Sequence, residues 1–152
     1  TAVNDDEFAY DVYISYTDKE PDSKWVWDTF IPQLEKEGFD PKRIAVAGEV
    51  ERPGVTLLLE AEQALKHSKR VLLALSNQYF DDPRATFDFD LTQHLQVKKQ
   101  EFRLLPVIFA SGIDESRIPD RMDIYTRIDL SKRTESRLQR LVEELKSPLP
   151  TR

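Results

Sequence analysis

An α/β fold, with five parallel strands in one sheet and helices on both faces, is predicted by three features of the sequence. Short apolar runs alternate with amphipathic stretches along most of the chain, the pattern of successive βαβ units. The run Val71-Leu72-Leu73-Ala74-Leu75 is apolar without alternation, as a strand covered on both faces must be. Finally, Tyr10-Asp11-Val12-Tyr13-Ile14-Ser15-Tyr16 reads as an apolar strand that stops abruptly before polar and acidic residues, with a helical pattern soon after. The carboxyl end of such a first strand is where an α/β protein tends to place a crevice.

Residues 1–8 are polar and acidic and read as a linker, so the domain is expected to span 9–146, with a tail at 147–152. The first strand is expected at Ala9–Ser15. Trp27, Phe30, Ile31 and Leu34 follow at the i, i+3, i+4, i+7 spacing of a helix. Pro32 falls inside that helix, where a lost hydrogen bond costs about 3 kcal/mol, so a kink is expected. A second strand at Ile44–Val46 precedes a helical stripe of Leu57, Leu58, Ala61, Ala64 and Leu65. The third strand is expected at Arg70–Ser76, and a helix over Thr86–Lys99 should turn Phe87, Leu91 and Leu95 inward. The fourth strand, Leu104–Phe109, contains Pro106, which cannot donate to a ladder; a bulge is expected there. A short strand near Tyr125–Ile128 and a helix carrying Leu138, Leu141, Val142 and Leu145 complete the pattern. Five such strands in the flavodoxin-like order place the crevice beyond the ends of the first and third.

The 152 residues suit one domain, and 39% hydrophobic with 33% charged residues suit a globular protein with a highly charged surface. A net charge of −6 offers no general field for nucleic acid or an anionic membrane, so neither is expected as a partner. Two basic clusters, Lys66 with Lys69 and Arg70, and Lys98 with Lys99, are expected to be solvated faces. The chain has no cysteine, which removes disulfides, a thiolate nucleophile and Cys-based zinc sites. The two histidines, His67 and His94, lack a metal-binding spacing, and no metal or resident cofactor is expected. No apolar run is long enough to span a bilayer and no signal sequence is visible, so a cytoplasmic location is expected. Four glycines leave little room for a Gly-rich phosphate loop.

Four segments in order resemble Toll/interleukin receptor (TIR) domains. The first is Tyr10 to Tyr16. The second, Glu51-Arg52-Pro53-Gly54, is similar to the family's second box. The third is Ala64 to Arg70 with the strand through Ser76 and the following Asn77-Gln78-Tyr79-Phe80. The fourth, Arg103-Leu104-Leu105-Pro106-Val107-Ile108, is similar to the family's fourth strand. The resemblance covers roughly residues 8 to 146, and Trp25 through Leu34 is most similar to bacterial members. It implies homotypic self-association, or association with other TIR domains, through the loop holding Glu49, Glu51, Arg52, Pro53 and Gly54.

Some members of the family instead cleave the nicotinamide–ribose bond of NAD, using a glutamate four residues after a tryptophan on the helix following the third strand. Counting without gaps from Tyr79-Phe80 puts Arg84 at the tryptophan position and Asp88 at the glutamate position; a two-residue slip selects Asp90. The resemblance therefore implies NAD as a possible substrate, Asp88 (alternatively Asp90) as the catalytic carboxylate, and Ser15, Tyr16 and Arg84 as substrate-binding residues. A carboxylate one methylene shorter than glutamate is withdrawn by about an ångström, a misplacement that can cost about 10²-fold in rate. Trp25 and Trp27 could stack on a nucleotide ring, but their helical spacing points first to packing.

Overall fold

Burial is most complete in β3 (Ser68–Leu75), in which every residue is buried and which occupies the middle of the sheet. A computed structural model of the chain describes residues 8–49, 57–99 and 101–149, with the side chains at 57, 58 and 99 outside that description. The strands β1 (Tyr10–Ser15), β2 (Ile44–Val46), β3, β4 (Leu104–Ile108) and β5 (Ile128–Asp129) pair in parallel in the order β2-β1-β3-β4-β5. The predicted five-stranded parallel architecture is therefore present, with β5 later and shorter than expected. The chain reverses direction across the sheet between β1 and β3, so the crevice opens at Ser15 and Leu75.

The first helix has three parts: α1 (Asp22–Lys24), a π-helical turn (Trp25–Phe30) and α2 (Ile31–Lys36). Its Pro32 stands at the start of α2, just after the wider turn, where the Ile31 N–H reaches back to the Val26 carbonyl. The proline is thus accommodated by a π turn in place of the expected simple kink. Trp25 stacks between Phe30 and Phe109, at centroid distances of 4.9 and 4.6 Å, which fastens this helix over the ends of the central strands. Pro106 also departs from expectation. The β3–β4 register runs unbroken through Leu73↔Pro106, with no bulge. Arg103 accepts from Val71 on the β3 side and Ile108 accepts from Leu130 on the β5 side. Alternation along the strand then turns the Pro106 nitrogen toward β5, below the two-residue stretch where β5 pairs.

The helices α3 (Leu57–Lys66) and α4 (Pro83–Lys99) touch one another, while α5 (Asp120–Asp123) and α6 (Thr134–Lys146) flank β5. In α4 the inward stripe is Ala85, Asp88, Phe89, Thr92, Leu95 and Gln96, spaced as one helical face. Phe89 replaces Phe87 as its buried aromatic ring, and Phe87 and Leu91 are only half-buried. The three polar members are each bonded. Asp88 meets β1, Thr92 donates to the Asp88 carbonyl at 2.7 Å, and Gln96 accepts from the backbone N–H groups of Arg103 and Leu104, both at 2.7 Å.

Lys69 and Arg70 are buried, contrary to the expected solvated face, whereas Lys66 is exposed and pairs with Glu62 at 2.9 Å. Parallel strands begin beside helix C-termini, whose free carbonyls draw cations inward. Lys69 donates to the Leu145 carbonyl near the end of α6, and Arg70 pairs with Glu144 at 2.9 Å. Arg103, buried beside Phe8, donates to the Lys66 carbonyl at the end of α3 at 3.1 Å. Phe8 and Leu149, near the expected domain limits, are both buried.

At the opposite end of the sheet, Asp22 is fully buried and accepts from Ser76 and, at 2.9 Å, from Gln78. Burial raises its pKa despite these two bonds. A carboxyl whose folded pKa is raised contributes its stability below the ordinary value of 3.8 and loses it as pH rises through the elevated pKa. Urea unfolding from pH 3 to 7 should therefore show wild-type stability falling relative to Asp22→Asn above pH 3.8; parallel curves for the two proteins would refute this. Replacing Gln96 by Leu leaves two buried N–H groups unpaired and should cost about 2–4 kcal/mol in the same experiment. A loss under about 1 kcal/mol would mean that other groups take over both bonds.

Candidate functional site

The first strand delivers Ser15 to the crevice because β1 ends there. Tyr10-Asp11 is half-buried, Val12 to Ser15 are buried, and the pairing with β3 stops at Ser15↔Leu73. On the far side, Asp82 starts α4 as its cap. Its carboxylate accepts from the Arg84 N–H at 3.0 Å, its carbonyl accepts from Thr86, and Pro83 occupies the first helical position. This start fixes the rotation of α4 so that Asp88, one and a half turns on, faces β1.

Asp88 Oδ2 accepts from Ser15 Oγ at 2.8 Å, and the carboxylate side chain is buried, with 1% of the residue exposed. Ser15 Oγ also lies 2.9 Å from the Tyr79 hydroxyl, which donates to the Ala85 carbonyl at 3.0 Å. Burial, and next the Asp88 charge, push the Tyr79 hydroxyl well above the ordinary tyrosine pKa, so it remains a donor. The result is a closed chain of bonds joining the end of β1, the turn after β3 and the first turns of α4. Asp90, two residues on, lies on the other side of the helix. Its side chain is half-exposed and pairs with Arg121 at 3.0 Å, away from Ser15.

Tyr16 follows Ser15 and accepts from Trp27 Nε1 at 3.0 Å. Burial, mainly, raises its pKa; the Trp27 bond lowers it, Asp18 and Glu49 raise it, and Arg84 lowers it. These charges therefore all lie within electrostatic reach of one phenol. The Arg84 guanidinium crosses to the turn after β2, where a Cβ on Gly48 would stand 3.3 Å from Nη1. Gly48 has φ +89°, a left-handed conformation that itself favours glycine. Among the expected site residues, the structure thus gathers Ser15, Tyr16, Arg84, Asp88 and Glu49 around the crevice and sets Asp90 apart. Glu51, Arg52, Pro53 and Gly54 lie outside the described residues.

Three residues at this site escaped the sequence reading as site residues. Tyr79 sits in the Asn77-Gln78-Tyr79-Phe80 segment, where a tyrosine soon after a buried strand signals a ring that can return beneath the crevice. Gly48 was detectable as the one glycine in the turn after β2. Trp27 stands at a helical spacing that points first to packing, yet the residue is 41% exposed with its N–H on Tyr16.

The comparisons agree with this architecture. The family model described as "TIR domain" matches residues 12–142. Among solved structures, the TIR domain of the Toll-related receptor TRR-2 from Hydra magnipapillata superposes with a TM-score of 0.73 at 17% identity, covering 91% of this chain and 99% of that one. A TIR-STING receptor from C. gigas superposes at 0.68 and 20% identity over 95% of this chain, which spans 42% of that protein's length. The TIR domains of the activated Roq1 resistosome superpose at 0.64 and 13% identity, over 90% and 99% of the two chains. At such identities these are likenesses of fold. No curated protein matches the sequence. The match to the family model over most of the chain, on a parallel sheet of the observed order, shows that this chain belongs to the TIR-domain family.

Proposed function

We propose that the chain is a TIR assembly module, which builds signalling complexes by homotypic contact with copies of itself or with other TIR domains. The state of Asp88 carries this reading: the carboxylate that a gapless count sets at the family's catalytic position is sealed from solvent and bonded to Ser15, while large apolar side chains stand exposed elsewhere. The Roq1 TIR domains, described as part of an activated resistosome, support the same direction. The loop opened by the exposed Glu49 is the first contact surface proposed, with Arg52 and Pro53 in it. A cytosolic multidomain protein of bacterial signalling or defence is the setting this reading favours; no helix among the described residues is long and apolar enough to cross a membrane.

A second reading, NAD glycohydrolase, is favoured by one observation: Asp88, rather than Asp90, meets Ser15 at the strand end. A carboxylate there would stabilise positive charge growing on the ribose as the C–N bond breaks, with the electron pair leaving on nicotinamide and water supplying the new hydroxyl. Arg84 and Tyr16 would border the same substrate. The shorter aspartate, held back by Ser15, accounts for a slow or silent site in this reading.

Sedimentation velocity should show concentration-dependent association of the wild type and its loss in Arg52→Ala/Pro53→Ala; a wild type monomeric at every concentration would defeat the assembly reading. Incubation with NAD should release little or no nicotinamide from the wild type, and Asp88→Glu should release about 10²-fold more if the shortened side chain is what limits the site. Equal inactivity of Asp88→Glu and Asp88→Ala would dispose of the enzyme reading. Ser15→Ala, which removes the donor to a buried carboxylate, should cost about 1–3 kcal/mol in urea unfolding, and an unchanged midpoint would contradict the Asp88 bond.

A further inference from the structure

The surface carries two features that match each other, and the second shares Trp27 and Glu49 with the rim of the crevice. Of the five large apolar side chains exposed among the described residues, three surround one cleft of about 180 Å³: Val97 at 68%, Phe102 at 38% and Ile124 at 75% exposed. They come from the last turns of α4, the turn before β4 and the residue after α5, at the amino-terminal edge of the sheet, far along α4 from Asp88. His94, Val97 and Lys98 stand at i, i+3 and i+4, so exposed basic groups border the apolar knobs on the helix surface. Neighbouring carboxylates are already occupied: Glu101 pairs with Arg103, Asp90 with Arg121 and Asp123 with Arg127. Lys98 has no ion partner among the described residues.

The second feature is a groove of about 400 Å³ between the first helix and the edge strand β2. Trp27, Ile31, Pro41 and Ile44 supply its apolar lining, and Glu35 and Glu49 stand exposed on it. Neither carboxylate has an ion partner among the described residues. Among the described residues, one face therefore offers protruding apolar side chains with a cation that has no ion partner, and the other a larger apolar hollow with two such anions. The two faces lie toward opposite edges of the sheet, β2 on one side and the approach to β5 on the other. A contact between unlike faces of identical chains is head-to-tail, and it propagates into an open filament unless its rotation closes a ring.

We propose that the Val97–Phe102–Ile124 face of one copy docks into the Trp27–Ile31–Ile44 groove of the next, with Lys98 set against Glu35 and Glu49. This contact rests on the assembly reading and gives it a polarity. Apolar side chains at the centre supply most of the affinity, while the charged rim sets register and orientation.

The test uses the whole chain and two variants altered only at exposed positions. Lys98→Glu/Ile124→Asp disables the knob face, and Glu35→Lys/Glu49→Lys disables the groove. In sedimentation velocity each alone should associate at least about thirtyfold more weakly than the wild type, the equivalent of losing one hot-spot residue. An equimolar mixture of the two should form a discrete dimer, because each keeps the half that the other lacks. Wild-type association that survives both variants would overturn the proposed contact and leave the assembly reading standing. Loss of association in the knob variant alone, with the groove variant unaffected, would mean that the knob face pairs with itself and would overturn the head-to-tail arrangement. A wild type that never associates would overturn the contact and the assembly reading together.

Discussion

A polar group taken out of water must find a partner, and on α4 this requirement decides how the molecule is put together. Asp88, Thr92 and Gln96 lie on the buried face of that helix, so each must be bonded within the protein. Gln96 takes two backbone N–H groups at the start of β4 and donates to Tyr125 at 2.9 Å, while Asp88 takes the Ser15 hydroxyl at the end of β1. One helix thereby fixes the amino end of one strand relative to the carboxyl end of another. A purely apolar stripe would hold α4 on the sheet but would tolerate a shift along its axis; directional bonds at both ends do not. The position of Asp88 in the crevice is thus a by-product of the same register that anchors β4.

The polarity of that stripe also explains what could be read in advance. β3 was legible because both its faces are covered and its run Val71–Leu75 is apolar without a break. The parallel sheet followed from alternation of strand and helix, whereas its order, β2-β1-β3-β4-β5, is not fixed by alternation alone. The inward face of α4 was less legible, since Asp, Thr and Gln look like surface residues until their partners are known; Phe87 and Leu91 therefore drew attention that belonged to Phe89. Lys69 and Arg70 differ from expectation in the same way. Their burial depends on the Leu145 carbonyl and the Glu144 carboxylate of α6 and on the Arg103 carbonyl, which are brought close only by the completed fold. At the site, Ser15 and Asp88 could be named from motif and count, but their contact could not. Tyr79 and Gly48 carry only weak marks, a tyrosine after a buried strand and a glycine in a turn, because their roles are to bond and to leave space, which the fold alone reveals.

The two functional readings divide the molecule between its crevice and its outer surface. Inside, the acid and its neighbours are arranged as a closed network in which Ser15 spends its hydrogen on Asp88. Outside, charges without an ion partner among the described residues border exposed apolar groups on two faces. A network of paired groups is at rest, whereas an apolar face with unneutralised charge at its edge has something left to gain by contact. This contrast is why the surface carries more weight here than the crevice.

The π-helical turn at Trp25–Phe30 joins these two regions. Such a turn amounts to one residue more than an α-helix would need, and each helical residue is worth about 100° of rotation. Deleting that residue would restore a regular helix and swing the side chains on its amino-terminal side about a quarter of the way round the axis. Trp27 would then leave Tyr16 and the β2 groove at once, although neither contact had been altered directly. The phase of this single helix therefore sets whether crevice and groove share a tryptophan, so an insertion or deletion of one residue here would act on both regions together.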